Sequence, residues 1–281
     1  MCSDQRLSTV EDMSELVLEG LKAKQQKTWA SGDYGAVAAL IHPMAEDTIQ
    51  AADLSAGAEV LDVAAGTGNA SIAAARSGAR VIATDYVQSL LDRARERADA
   101  ERLPLTTEIA DAENLPYADG RFDAVVSVVG AMFAPDQERT ASEIARVTRS
   151  GGRIGLVAHT PEGFIGQLFR TNAQHVPPVP GLKSPLLWGT EARLREMFGD
   201  AIADLQVRKR HWVFRYRSPE AYLDYWRHWY GPTLKTFEAV GPDGEAALRQ
   251  DLLDLIGRFN VAVDGTMAVP SEYLEAVITR R

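Results

Sequence analysis

The stretch Val60-Leu61-Asp62-Val63-Ala64-Ala65-Gly66-Thr67-Gly68-Asn69 decides the fold: a short apolar run ends in a small-residue loop and passes into an alanine-rich helix, Ala70 to Ser77. This order reads as strand, tight turn, helix. Two glycines without a Cβ let the loop take strained dihedrals and leave room for a ligand against the backbone. The helix N-terminus just beyond supplies free N–H donors. The run Arg80-Val81-Ile82-Ala83-Thr84-Asp85 follows as a second strand. Its acid falls at the carboxyl end of the strand, where open α/β sheets bind their ligands, and it suits a ribose diol.

Residue chemistry narrows the ligand. A nicotinamide fingerprint, G-x-G-x-x-G/A, uses its third small residue for close helix packing, and here Gly66 and Gly68 are followed by Ser71. Asp62 would sit at the loop mouth, where a doubly negative pyrophosphate would meet a like charge. S-adenosylmethionine carries no phosphate, and its ammonium and sulfonium groups make a nearby carboxylate favourable. The loop therefore reads as an S-adenosylmethionine site, with Asp62, Gly66, Gly68 and Asp85 as cofactor residues.

Two further blocks complete an ordered set: Ala110-Asp111-Ala112-Glu113-Asn114-Leu115-Pro116-Tyr117 and Phe122-Asp123-Ala124-Val125-Val126-Ser127. From Lys24 to Arg153 the chain resembles the class I S-adenosylmethionine-dependent methyltransferases, in particular the small-molecule branch that includes the ubiquinone and menaquinone biosynthesis enzymes. The resemblance implies a Rossmann-like α/β fold in which Asp111 accepts a hydrogen bond from the adenine amino group and the Ala112 N–H reaches a ring nitrogen. It also implies cofactor contacts at Ala64, Tyr86 and Val128, and leading helices whose Trp29 and Tyr34 cover the methionine end. No metal is implied. The chain departs from the family at Ala64-Ala65, where Gly-Cys is commonest, but the side chains there remain small.

The 281 residues are 46% hydrophobic and 25% charged, which suits one large α/β domain with an insertion and argues against wholesale disorder. A net charge of −9 argues against a nucleic-acid backbone as the main partner. The single cysteine, Cys2, allows neither an intrachain disulfide nor a cysteine-based metal site. The N-terminus carries Asp4, Glu11, Asp12 and Glu15 instead of a basic segment and apolar core, and no apolar run is long enough for a membrane span. The expectation is a soluble, cytoplasmic protein without a membrane partner.

Along the chain, residues 10–30 suit a helix stopped by Ser31-Gly32-Asp33, and Tyr34 to Ala52 suits a second. Strand and helix then alternate from Glu59, the pattern of a parallel sheet buried on both faces. Strands are expected at Leu105–Ile109, Ala124–Val129 and Arg153–Ala158, with a helix from Pro135 to Arg149. Past the proline-rich connector Val176–Gly181 the expected elements are a strand at Asp204–Tyr216, helices opened by Ser218-Pro219-Glu220 and spanning Glu245–Phe259, and a strand at Tyr273–Thr279. The expected architecture is a seven-stranded, mostly parallel sheet with helices on both faces. Its divisions are N-terminal helices over the cleft (1–55), a cofactor-binding core (56–217), a helical lid inserted between the last two strands (218–265) and the last strand (266–281).

Methyl transfer from a sulfonium needs mainly positioning and exclusion of water. A general base is required only if the acceptor stays protonated. His159, at the end of a central strand, is the candidate base, its alternative being a hydrogen bond to a neighbouring loop. Tyr222, Tyr225, Trp226 and Trp229 recur at helical spacing near Trp212, Phe214 and Tyr216 on a strand. They read either as the wall of a pocket for an aromatic or apolar small-molecule acceptor or as the insertion's own core. Two other functions stand beside methyl transfer: a nicotinamide-dependent oxidoreductase, and a cofactor-binding protein without turnover.

Overall fold

The computed structural model describes residues 10–281; Cys2 and Asp4 lie outside the described residues. Three helices lead the chain, α1 (Val10–Trp29), α2 (Tyr34–Leu40) and α3 (His42–Ala52). Strand and helix then alternate through β1 (Glu59–Val63), α4 (Asn69–Arg76), β2 (Arg80–Asp85), α5 (Gln88–Ala100) and β3 (Leu105–Ile109). The chain continues with β4 (Phe122–Val128), α6 (Gln137–Val147), β5 (Thr148–His159), α7 (Phe164–His175) and α8 (Glu191–Phe198). It closes with β6 (Ile202–Tyr216), α9 (Pro219–Trp229), α10 (Gly231–Phe259) and β7 (Met267–Arg280).

The seven strands form one sheet in the order β3-β2-β1-β4-β5-β7-β6, parallel from β3 to β5 and antiparallel where β7 meets β5 and β6. The chain winds outward from β1 to β3 and then returns to place β4 on the other side of β1. That reversal opens a crevice at the carboxyl ends of β1 and β4, the usual ligand position in such sheets. The central strands are apolar on both faces, as burial of Val60, Leu61, Val125 and Val126 requires.

The four largest departures from the expected boundaries are these. The expected helix from Tyr34 to Ala52 breaks at Ile41, because Pro43 follows and starts a new helix in its first turn. β5 begins at Thr148, before the expected Arg153, and its register against β4 shifts between Phe122 and Ala124. The helix expected at Glu245–Phe259 is the second half of α10, which bends where Gly241 (φ 63°) precedes Pro242. β7 starts six residues before the expected Tyr273 and keeps antiparallel pairing with β6 throughout.

Segment 218–265, expected as a lid, packs against the sheet through its apolar residues. One apolar cluster runs from Leu61 and Phe122 in the sheet through Phe164 to Tyr222, Trp226 and Leu252. A smaller one, including Ile49, Ala73 and Val81, covers the opposite face. Tyr222 is fully buried and Trp226 is 3% exposed, so α9 is part of the main core.

Candidate active site

A cleft opens at the carboxyl ends of β1, β2 and β4. Its floor is strained backbone: Ala64, just past β1, has φ 53°, and Val129, just past β4, has φ 54°. A β-branched residue in that region is a genuine outlier, and such strain gathers at ligand sites. The two strand ends meet closely, since a Cβ on Gly130 would lie 2.3 Å from the Ala64 carbonyl oxygen.

Asp85 closes β2 and lines the cleft, 5% exposed. Its Oδ2 accepts from the Gly66 N–H at 2.9 Å and its Oδ1 from the Val87 N–H at 2.9 Å. Each oxygen keeps a lone pair for a ligand. Burial raises its pKa to about 6. Gly66 lines the same wall with φ 55°, and a Cβ there would meet the Tyr34 ring at 3.3 Å. Burial in turn pushes the Tyr34 hydroxyl up to about 12, so it stays protonated.

The roof is α1. Lys22, Gln25, Gln26 and Trp29 fall at i, i+3, i+4 and i+7, one helical face. Lys22 Nζ pairs with Asp111 Oδ2 at 2.7 Å and also with Glu113. The Gln25 and Gln26 side-chain amides donate to the Phe133 and Tyr86 carbonyls. Trp29 tilts against Phe133 with ring centroids 4.8 Å apart and meets Tyr34 edge-on at 5.5 Å. The helix thus spans the ends of β2, β3 and β4.

Eight sequence-predicted cofactor residues line this cleft: Tyr34, Ala64, Gly66, Asp85, Tyr86, Asp111, Ala112 and Val128. Asp111 is already engaged, its Oδ2 by Lys22 and its Oδ1 by the Glu113 N–H at 2.9 Å. Asp62 and Gly68, also expected to contact the cofactor, are not among the lining residues. Asp62, 1% exposed, turns beneath α4, where its Oδ2 accepts from the Ser71 N–H at 2.8 Å and hydroxyl at 2.6 Å. Burial raises its pKa to about 7. Gly68 faces α5: at φ 82°, a Cβ would lie 2.9 Å from the Ala94 Cβ. Gly68→Val is therefore expected to lower stability by about 1–3 kcal/mol through overpacking, a loss that denaturant melts of the ligand-free protein would register.

The expected catalytic and acceptor residues lie outside the cleft lining. His159, 5% exposed at the end of β5, is paired in register with Tyr273 of β7, and burial lowers its pKa to about 4. That is a poor proton acceptor near neutrality. The aromatic stripe of α9 packs inward, with Tyr222 stacked on Trp226 at 5.1 Å and Trp226 edge-on to Phe214 at 5.5 Å and to Tyr230 at 4.8 Å. The Tyr225 hydroxyl donates to the Ala36 carbonyl at 3.0 Å, and the Trp229 carbonyl accepts from the Asp33 N–H at 3.2 Å. These side chains stand behind Tyr34 and fix α2. The cleft residues not assigned from the sequence include Lys22, Gln25, Ala38 and Leu90; Thr67 and Asn69 lie in the loop already read as the ligand site. The one-face spacing of Lys22, Gln25 and Trp29 marks a helix face but not what that face meets.

Residues 61–156 match a protein-family profile described as a methyltransferase domain. An uncharacterized protein of Mycobacterium tuberculosis is 39% identical over 247 residues, covering 86% of this chain and 89% of that protein. A Thermobifida fusca protein named demethylmenaquinone methyltransferase is 44% identical over 117 residues, 41% of this chain and 50% of that protein. A solved structure titled as a putative methyltransferase from Bacillus halodurans superposes with a TM-score of 0.60 at 22% identity, covering 84% of this chain and 97% of that one. The chain belongs to the class I S-adenosylmethionine-dependent methyltransferases, and the mycobacterial protein is a relative over nearly its full length. S-adenosylmethionine is its cofactor. The cleft suits that group: it offers a buried carboxylate at Asp85, small residues at Ala64 and Gly66, and a buried Gln25 Oε1 with no partner. Among the described residues no helix is long and apolar enough to cross a membrane, and no group of three or more His, Cys, Asp or Glu side chains could hold a metal.

Proposed function

We propose that the cofactor lies along the carboxyl edge of the sheet, with its ribose on Asp85, its adenine beside Tyr86, Asp111, Ala112 and Val128, and its amino-acid end at the loop Ala64–Asn69 beneath Tyr34. The remaining space, walled by Trp29, Phe133 and Pro135, takes a small apolar or aromatic acceptor. The observation that carries this reading is the aromatic contact of Trp29 with Phe133 over the cleft, backed by Phe169 at 6.1 Å from Phe133. Flat apolar walls with a few fixed polar groups select flat apolar ligands. The relatives named demethylmenaquinone methyltransferase, matched over about half their length, support an acceptor of quinone type.

When bound, the cofactor supplies a methyl group already activated for in-line displacement. The chain's own residues orient and enclose. Asp85 holds the ribose and the glycine loop together, Trp29 and Tyr34 exclude water, and α1 fixes the roof. His159 lies away from the lining, so proximity carries the reaction. Transfer of labelled methyl from S-adenosylmethionine to a panel of hydroxylated aromatics and quinols, set against polar amines and small organic acids, tests the acceptor class. Transfer confined to the polar compounds would reject it.

A further inference from the structure

The glycine loop is held from below by a cation that, among the described residues, hydrogen-bonds no carboxylate. Arg97, on α5, directs its Nη1 to the Thr67 carbonyl at 2.6 Å, to the Thr67 hydroxyl at 3.2 Å and to Asn69 Oδ1 at 2.9 Å. These are its only side-chain hydrogen bonds among the described residues, and none is to an acid. The guanidinium is half-buried; burial lowers its pKa, Glu101 opposes that, and nearby Arg76 and Arg93 add to it. A buried charge without a counter-ion is costly unless something compensates it. In a chain of net charge −9, leaving this one unpaired needs a reason.

Both residues it holds line the cleft. Asn69 is locked further, its Nδ2 donating to the Ala38 carbonyl at 2.8 Å and its Oδ1 meeting His42 Nδ1 at 3.3 Å. Asn69 also opens α4, whose N-terminus carries the positive end of the helix dipole; of its first-turn donors the Ser71 N–H is given to Asp62. Turning the Thr67 carbonyl oxygen toward Arg97 removes a negative dipole from the ligand side of the loop. With Asp62 occupying the inner side of the helix end, the loop and the guanidinium favour an anion on the cleft side.

We propose that Arg97 is a positioning residue for the carboxylate of the cofactor's amino-acid end, acting through Thr67 and Asn69 without lining the cleft itself. This rests on the placement of that end at the loop Ala64–Asn69. The carboxylate completes the charge balance that the protein leaves open, and Arg97 sets the loop carbonyl so that the donors above it are free. It acts on the amino-acid end and leaves the nucleoside end alone.

Two probes separate these ends: S-adenosylhomocysteine, which carries the carboxylate, and 5′-methylthioadenosine, which lacks it. Calorimetry on the parent, Arg97→Met and Arg97→Lys gives their affinities. Arg97→Met is expected to weaken S-adenosylhomocysteine about tenfold or more while 5′-methylthioadenosine changes less than about twofold, in line with loss of charge-assisted bonds from one end only. Arg97→Lys keeps the charge and should recover part of the loss; it stays readable if Met unsettles the fold. Equal losses for both probes, or no loss for either, would overturn the proposal and leave Arg97 a packing residue. A parent that binds neither probe would instead reject the cofactor placement.

Discussion

Asp85→Ala is expected to weaken S-adenosylmethionine binding roughly 10- to 150-fold, the equivalent of about 1.5–3 kcal/mol for hydroxyls that lose a charged acceptor. The carboxylate does two things at once. It faces the cleft, and it accepts from the Gly66 and Val87 N–H groups that set the loop. Alanine leaves both donors without a partner, which places the expected loss toward the upper end. Asp85→Asn keeps one acceptor oxygen and should lose less. The pH dependence has a definite sign: burial raises the carboxyl pKa to about 6, so the ionised acceptor prevails above that pH and takes a proton below it. Affinity in the parent should therefore be flat above about pH 7 and fall by up to tenfold per unit below about pH 6. In Asp85→Asn that fall should vanish. Calorimetry from pH 5 to 8 decides; a parent whose affinity ignores pH would show that Asp85 is not the ribose acceptor.

The other large effect concerns stability. Trp226→Ala should destabilise the protein by about 3–5 kcal/mol, the range for removing a buried aromatic side chain. Trp226 is 3% exposed and touches Tyr222, Phe214 and Tyr230 through its ring faces and edges. Trp226→Phe should lose less, because it leaves a smaller cavity. Urea melts read the difference directly, and cofactor affinity in the folded variant should stay within about twofold, since Trp226 does not line the cleft. If Trp226→Ala instead melts like the parent and yet fails to transfer methyl groups, α9 is an acceptor wall after all.

What could be read from the sequence was what is local in the sequence. The strand from Val60, the loop through Gly68 and the acids Asp85 and Asp111 each announce themselves within a few residues, because strand ends and tight turns have short-range signatures. Asp62 and Gly68 sit in the same stretch, yet the structure turns one beneath α4 and the other toward Ala94 of α5. A strand's alternation does not say which neighbouring helix a side chain will meet. Lys22 and Gln25 were illegible for a different reason: their partners at Asp111 and Phe133 are 89 and 108 residues away. His159 was placed correctly at a strand end, but β7 runs past that end and buries it.

The roof helix also sets a condition on timing. Its contacts with Asp111, Glu113, Tyr86 and Phe133 bridge three separate strand ends, and the chain turns after it at Gly32, where φ is 69° and a side chain would collide with the Trp229 carbonyl. If the nucleoside lies beneath this helix as proposed, exchange of spent for fresh cofactor is expected to require these contacts to open, with the turn at Gly32 the point about which the helix would move. Motions of this kind take microseconds to milliseconds and often pace turnover. Such a door would open once per methyl group, and with the other four tryptophans replaced by Phe a cofactor-dependent change in Trp29 fluorescence is its expected signature.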